Sequence, residues 1–301
     1  MIRRPRLFAL YLRLIGLFFF IALPSSSDAA SVGFSRRIVS LAPSLTETVF
    51  ALGFGDRLVG VTNHCDYPAE AKNLPKVGDF MSPSLELIAA KRPDLVIGVV
   101  GAIDPAKARE MERLGLNVAL LSLSTVSEIL SSFKRIAALL GDAEAGERLV
   151  RKLTLQFDKV TNRVAHTPRR STLMVVGLRP LVAVGGKNFL DELITLAGGA
   201  NIARNAPQPW LNLPDEYVVA KAPQIIIEAG MGSDTAAPAG HWSDLKSIPA
   251  VKERRVYTYN SDKILRPGPR IGDGVEELAR LIHPECFDRA DSAKGTRCEG
   301  A

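Results

Sequence analysis

The chain has 301 residues, with 38 basic against 32 acidic side chains, a net charge of +6 and three cysteines. Without residues 1–30, which carry four arginines and Asp28, 34 basic and 31 acidic residues remain, a net of +3. So small an excess calls for no nucleic-acid partner, and three cysteines in this length exclude a disulfide-dense scaffold. The roughly 270 residues beyond that segment are enough for two modest lobes with cores of their own.

Residues 1–30 read as a segment outside the fold. Arg3, Arg4 and Arg6 precede an apolar stretch whose unbroken part runs from Leu14 to Leu23, Pro24 ends it, and small residues through Ala29 and Ala30 offer a cleavage site. This is the form of a secretory signal peptide, and the apolar part is short for a membrane span. An uncleaved anchor is the other reading. No cysteine lies near the cleavage site, which excludes lipid attachment there. Export permits disulfides; Cys286 and Cys298 flank a polar tail and can close a loop, which leaves Cys65 alone.

In chain order, Arg37 to Leu41 reads as a strand, and Ser44 with Glu47 has the pattern of a capping box for a helix ending near Gly53. Leu58 to Val61 is a second strand, followed by the loop Asn63-His64-Cys65-Asp66-Tyr67-Pro68. A further loop, Gly78 to Pro83, leads to a helix carrying Glu86 and then the strand Leu95 to Val100. A helix around Lys107 to Leu114, a strand near Val118 to Leu121 and a helix capped by Thr125 and Glu128 complete the first half. From Asp142 to about His166, Leu149, Leu153, Phe157, Val160 and Val164 recur at helical spacing, predicting one long helix. It serves either as a strut between two lobes or as an ordinary surface helix. In the second half, Thr172 to Val176 is a strand, Gly177 to Lys187 a loop, and Phe189 to Ala197 a helix stopped by Gly198-Gly199. The loop of Trp210 precedes a helix carrying Glu216, then come the strands Ile225 to Ile227 and Arg255 to Tyr259. The loop Asp262 to Arg270 and a helix Ile271 to Ile282 close the chain. Strands alternating with helices predict an α/β fold, mostly parallel sheets flanked by helices.

One stretch occurs twice. LELIAAKRPDLVIG from Leu85 returns 130 positions later as DEYVVAKAPQIII, with Glu86, Ala90, Lys91, Pro93 and Ile97 matched by Glu216, Ala220, Lys221, Pro223 and Ile227. A repeat at that distance suggests two related lobes, although any two helix–loop–strand units share part of the pattern. The organisation this implies is a leader over 1–30, an N-terminal lobe over 36–141, an interlobe helix over 142–166, a C-terminal lobe over 170–285 and a polar tail over 286–301.

Catalytic signatures are absent: the sequence has no GxSxG, no HExxH, and no GxxxxGK followed by Ser or Thr. Gly185-Gly186-Lys187 is followed by Asn188 and reads as a tight turn. The histidines, at 64, 166, 241 and 283, share no metal-ligand spacing. Binding chemistry does gather in loops at strand ends, with His64, Cys65, Asp66, Tyr67 and Phe80 in one half and Trp210, Asp262, Arg266 and Arg270 in the other. Aromatic planes supply contact area and arginines present planar donor forks, where parallel sheets hold their ligands. Each also has a bland reading, such as Asp66 capping a turn or Trp210 filling a gap.

RIVSLAPSLTE, VGVTNHCDYP, SLELIAAKRPDLVIG and SDKILRPGPR resemble the periplasmic substrate-binding proteins with a rigid interlobe helix, which serve ABC importers of vitamin B12, haem and ferric siderophores. The similarity runs from about Arg36 to His283 and is strongest toward the corrinoid binders. It implies two related lobes joined by one long helix, a periplasmic location, no catalysis and no resident cofactor. It further implies a monomer that hands a metal chelate such as cobalamin to a membrane permease. By motif, the ligand would be held by His64, Asp66, Tyr67, Phe80, Trp210, Asp262 and Arg266, and Glu86 and Glu216 would engage permease arginines. The sequence departs from the corrinoid binders in having His64 where they stack a tyrosine, Leu181-Val182-Ala183 where they carry an aromatic, and Ala197 where they have a disulfide cysteine. His64 can serve as an axial ligand to cobalt or iron, or be a solvated loop histidine. Haem or a ferric siderophore is the alternative cargo. A secreted enzyme using His64, Cys65 and Asp66 is a reading from another class, without an orienting third group for that pair.

Overall fold

Apolar runs bounded by turns give this chain its frame, which the computed structural model describes over residues 34–230, 241–259 and 262–287. In the first half β1 (Ile38–Ser40), β2 (Leu58–Val61), β3 (Leu95–Val99) and β4 (Val118–Leu121) form an all-parallel sheet in the order β2-β1-β3-β4. Both faces are covered, which is why the strands read as continuous apolar runs: Ile38, Leu95 and Ile97 enter one core, Val39 and Val96 another. The helices of this half are α1 (Pro43–Ala51), α2 (Leu85–Ala90), α3 (Pro105–Arg113) and α4 (Val126–Leu140).

The two predicted capping boxes fare differently. At α4, Thr125 Oγ1 accepts from the Glu128 N–H at 3.1 Å while the Glu128 carboxylate accepts from the Thr125 N–H at 3.2 Å. At α1, the helix already starts at Pro43, with Ala42 as a cap that has no side-chain bond. Proline is preorganised for the first helical position and has no N–H to cap, so the start falls ahead of Ser44. Glu47 is therefore in the second turn, and it is buried.

The second half holds β5 (Arg170–Leu178), β6 (Leu181–Val184), α6 (Phe189–Leu196), β7 (Gly199–Asn201), β8 (Trp210–Asn212), α7 (Asp215–Lys221) and β9 (Ile225–Glu228). After the long helix α5 (Ala143–Val164), which precedes all of these, the remaining elements are α8 (Pro249–Lys252), β10 (Val256–Thr258), α9 (Asp262–Leu265) and α10 (Ile271–Ile282). The parallel pairings β7-β5-β9-β10 repeat the order β2-β1-β3-β4 of the first half. The register repeats as well, since Ile38 faces Leu95 and Thr172 faces Ile225, the counterpart of Leu95 at the 130-residue offset. The two halves thus share one topology.

The second half adds an antiparallel hairpin, in which β6 pairs with both β5 and β8. The segment Gly177–Lys187 is accordingly not a loop, and Trp210 stands on a strand opposite Val184. Leu181 to Val184 are four apolar residues between Arg179-Pro180 and Gly185-Gly186, enough for one short strand held from both sides. The expected loop Asp262 to Arg270 likewise begins with the helical turn α9.

Helix α5 buries the face read from the sequence: Leu149, Leu153, Phe157, Val160 and Val164 are all inaccessible or nearly so. At about 1.5 Å per residue its 22 residues span roughly 33 Å, and it packs on α4 from one half and on α6 and α10 from the other. Gly146 sets the approach to α4, because a Cβ there would lie 2.8 Å from Ala137 Cβ and 2.9 Å from Lys134 Cα. The core around α5 is continuous, joining Ile97 and Phe133 of the first half to Leu193, Ile227 and Leu278 of the second. The expected leader lies outside the described residues, as does Cys298; Cys286 is disulfide-bonded and Cys65 is free and buried.

A shared core makes the halves cooperative. Leu153→Ala should cost about 2–5 kcal/mol, the usual range for emptying a buried leucine site. Urea unfolding followed by tryptophan fluorescence and by circular dichroism should still give one coincident transition; two separate transitions would contradict a common core.

Candidate ligand-binding site

Two segments far apart in the chain meet on one carboxylate. Glu47 projects from the second turn of α1 with its side chain 2% exposed. Arg270, the residue before α10, donates from Nε to Glu47 Oε2 at 2.7 Å and from Nη2 to Oε1 at 2.6 Å, a two-point fork. Arg266 donates from Nη1 to the same Oε1 at 3.2 Å. Both arginines come from the second half, so the contact bridges the molecule. Gly268 between them lets the turn lie against α1: a Cβ on it would stand 3.3 Å from the Ser44 carbonyl oxygen.

The loop after β2 supplies the outer layer. Its anchor is Cys65, whose Sγ lies 3.1 Å from both Thr46 Oγ1 on α1 and Thr62 Oγ1, while its carbonyl accepts from Lys76 Nζ at 3.1 Å. With Cys65 turned inward, its neighbours face outward. Asp66 Oδ1 accepts from Arg266 Nη1 at 2.6 Å, and the Tyr67 ring lies beneath the Arg270 guanidinium, 4.0 Å from ring centroid to Cζ. Asp262, one turn before Arg266, meets Arg266 Nη2 at 3.0 Å. Three carboxylates therefore surround two guanidinium groups.

The electrostatics follow from that count. The hydrogen bond from Arg266 holds the Asp66 carboxyl below the ordinary aspartate value of 3.8, against partial burial. Burial works against the charge of Arg266 and Arg270, yet bonds to Asp66 and Glu47 respectively leave both above the ordinary arginine value.

Of the residues singled out from the sequence, Asp66, Tyr67, Asp262 and Arg266 are brought together in this one network. His64, Phe80 and Trp210 are not part of it. His64 is 70% exposed, with Nε2 3.7 Å from Asp79 Oδ1, an oxygen that also accepts from Asn63 Nδ2 at 2.7 Å. Phe80 is half-buried against the shared core, and Trp210 on β8 is 41% exposed. Glu86 and Glu216 are exposed in the first turns of α2 and α7 and form no ion pair among the described residues. Sequence reading missed Glu47, which it took for a cap. The usable signal was Pro43, which displaces the cap, together with two arginines four residues apart that need buried counter-charges.

A family model described as Periplasmic binding protein matches residues 38–263. The vitamin B12-binding protein of Vibrio campbellii is 30% identical over 257 residues, 84% of this chain and 91% of that protein. Among solved structures, the periplasmic vitamin B12 binding protein of Vibrio cholerae is 25% identical with a TM-score of 0.74, over 85% of this chain and 99% of that one. The apo periplasmic haem-binding protein of Roseiflexus sp. RS-1 is 27% identical with a TM-score of 0.74, over 84% and 99%.

The Asp66–Arg266 pair has a pH signature. Because the Asp66 carboxyl is depressed in the folded protein, its contribution to stability is present above about pH 4 and is lost as the pH falls through the folded-state value. Urea unfolding between about pH 6 and about pH 2 should show Asp66→Asn less stable than wild type at the upper end, with the gap closing toward acid. A gap that does not change with pH would mean that the pair is not formed.

Proposed function

We infer the task from membership: this chain belongs to the periplasmic binding protein family, and we propose that it binds a corrinoid outside the cytoplasm and delivers it to an ABC importer. Residues 1–30 would direct export and be removed, leaving a monomeric carrier that binds its ligand without altering it. The observation that carries the choice of ligand is the charge inventory of the network. Both arginines are engaged by three carboxylates, so what the site offers at its surface is the half-exposed acceptor oxygens of Asp66 and Asp262, not free guanidinium forks. Such a rim suits a ligand edged with amide N–H donors around a cationic metal, which describes a corrinoid. A ring bearing two carboxylates would meet like charge. Tyr67, Phe80 and Trp210 would supply apolar contact, and the ligand would lie between the halves at the strand ends. The resemblance to the vitamin B12 binders agrees with this reading.

Haem is the second reading, and His64 favours it: an exposed imidazole at this loop can serve as an axial ligand to iron. Absorption titration of the mature protein with cyanocobalamin and, separately, hemin decides between them. Cyanocobalamin should bind and be recovered unchanged after denaturation, and Trp210→Ala should weaken it by about 1–3 kcal/mol, the range for an aromatic anchor. Saturable hemin binding lost in His64→Ala, with no response to cyanocobalamin, would transfer the assignment to haem.

Docking rests on the repeat. Glu86 and Glu216 occupy equivalent first turns, where the helix dipole already favours a carboxylate, yet both remain exposed and have no ion-pair partner among the described residues. Two separated carboxylates, one from each half, can meet two permease arginines and fix the orientation of the carrier. The double variant Glu86→Ala/Glu216→Ala should keep its ligand affinity and stability within about 1 kcal/mol per site, while ligand-stimulated ATP hydrolysis by the reconstituted importer disappears. Wild-type stimulation by the double variant would reduce the pair to helix-end charges.

A further inference from the structure

Glu47 is too deeply placed to touch a ligand, with its carboxylate 2% exposed, but every group it holds leads outward. Its two oxygens take three hydrogen bonds from two arginines, at 2.6, 2.7 and 3.2 Å. Arg270, fixed at both Nε and Nη2, cannot turn about its terminal bonds, and its plane lies over Tyr67. Tyr67 nevertheless remains 47% exposed, so the residue that Arg270 covers still presents surface to solvent. Arg266, fixed on Glu47 by Nη1, carries Asp66 on that same nitrogen and Asp262 on Nη2. Aromatic surface and both rim carboxylates thus take their positions from one buried acid.

We propose that Glu47 is the positioning residue of the binding site: it locks Arg270 as a backing plate for Tyr67 and locks Arg266 as the spacer between Asp66 and Asp262. The proposal rests on the ligand-binding role assigned above, but the positioning itself can be read without any ligand. The chemistry is that of preorganisation. A tyrosine ring left to rotate must be ordered when a ligand arrives, and two free aspartates would repel each other across the rim. A cation held against one face of the ring also makes the opposite face a fixed platform.

Glu47→Gln keeps the shape and one acceptor but removes the charge that both arginines share. With the protein labelled uniformly with 3-fluorotyrosine, the Tyr67 fluorine signal, assigned by its loss in Tyr67→Phe, should move in Glu47→Gln toward the position and width of a freely rotating ring. An unchanged Tyr67 signal overturns the proposal whether or not a corrinoid binds. In titrations with cyanocobalamin, Glu47→Gln and Tyr67→Ala should each lose about tenfold in affinity, and the double variant should lose little more than either alone, because the two changes remove the same platform. Independent losses that multiply to about a hundredfold overturn it too. If Glu47→Gln fails to fold, the charge-neutral pair Glu47→Gln/Arg270→Gln leaves no unmatched ion and serves in both experiments. Wild-type fluorine signal and affinity in that pair would again refute the positioning role. Should the wild-type protein ignore cyanocobalamin, the ligand assignment falls while the fluorine result still decides for or against Glu47.

Discussion

A buried carboxylate must be matched, and here its partners lie across the molecule. Glu47 sits in the first half and both of its cations, Arg266 and Arg270, arrive from the second, 219 and 223 residues later. Removing one member of such a group leaves an uncompensated charge, a penalty of about 3–5 kcal/mol in buried pairs. The first half on its own would therefore carry an unmatched anion on α1, and the second half would hold Arg270 without its carboxylate and Arg266 with Asp262 alone. Joining the halves removes both liabilities at once. The continuous core along α5 makes the same demand in apolar terms, since either half alone would expose one flank of that helix.

A second polar tie runs in the opposite sense. Glu192 on α6 accepts from the backbone N–H of Val126, the first residue of α4, at 2.9 Å. That N–H is one of the orphans of a helix start, and Thr125 with Glu128 already serves its neighbours. The first half thus offers an acid to the second at Glu47, and the second offers an acid to the first at Glu192. Opening the halves would have to break five charge-assisted bonds and slide a packed core past Gly146, where α4 and α5 touch almost backbone to backbone. Hinge-type closure needs segments that absorb large dihedral changes, and a 22-residue helix between the halves has no such segment.

What could be read from the sequence follows from which interactions are local. The face of α5, the Thr125–Glu128 cap and the β3 and β9 strands are set by spacing within one element, and all were legible. The 130-residue repeat went further, because equal patterns at equal offsets gave equal topology in the two sheets. The hairpin of β6 and β8 was not legible: its two short strands sit among glycines and prolines, and only the pairing partner distinguishes them from loops. Glu47 failed for a sharper reason. Its local pattern matched a helix cap, while its actual partners lie more than 200 positions away, where no spacing rule reaches. Asp66, Tyr67, Asp262 and Arg266 were singled out by motif and share one network, but the charge that assembles it was not singled out.

Burial in this network falls stepwise from inside to outside, and that order explains how it can be both stable and receptive. Glu47 is all but inaccessible, the two arginines are mostly covered, and Asp66 and Asp262 are about half exposed. Desolvation is largest at the innermost ion, where the bonds are also most numerous, so the inner pairs carry the structural demand. Toward the surface the pairs are screened and weaker, and their remaining lone pairs stay open to an incoming donor. Reversing the order, with a lone arginine inside and carboxylates only at the surface, would bury a cation without a fixed counter-ion and leave the rim free to rearrange. The stepwise arrangement therefore keeps the cost of charge burial within the fold and leaves the rim groups already placed and open to solvent.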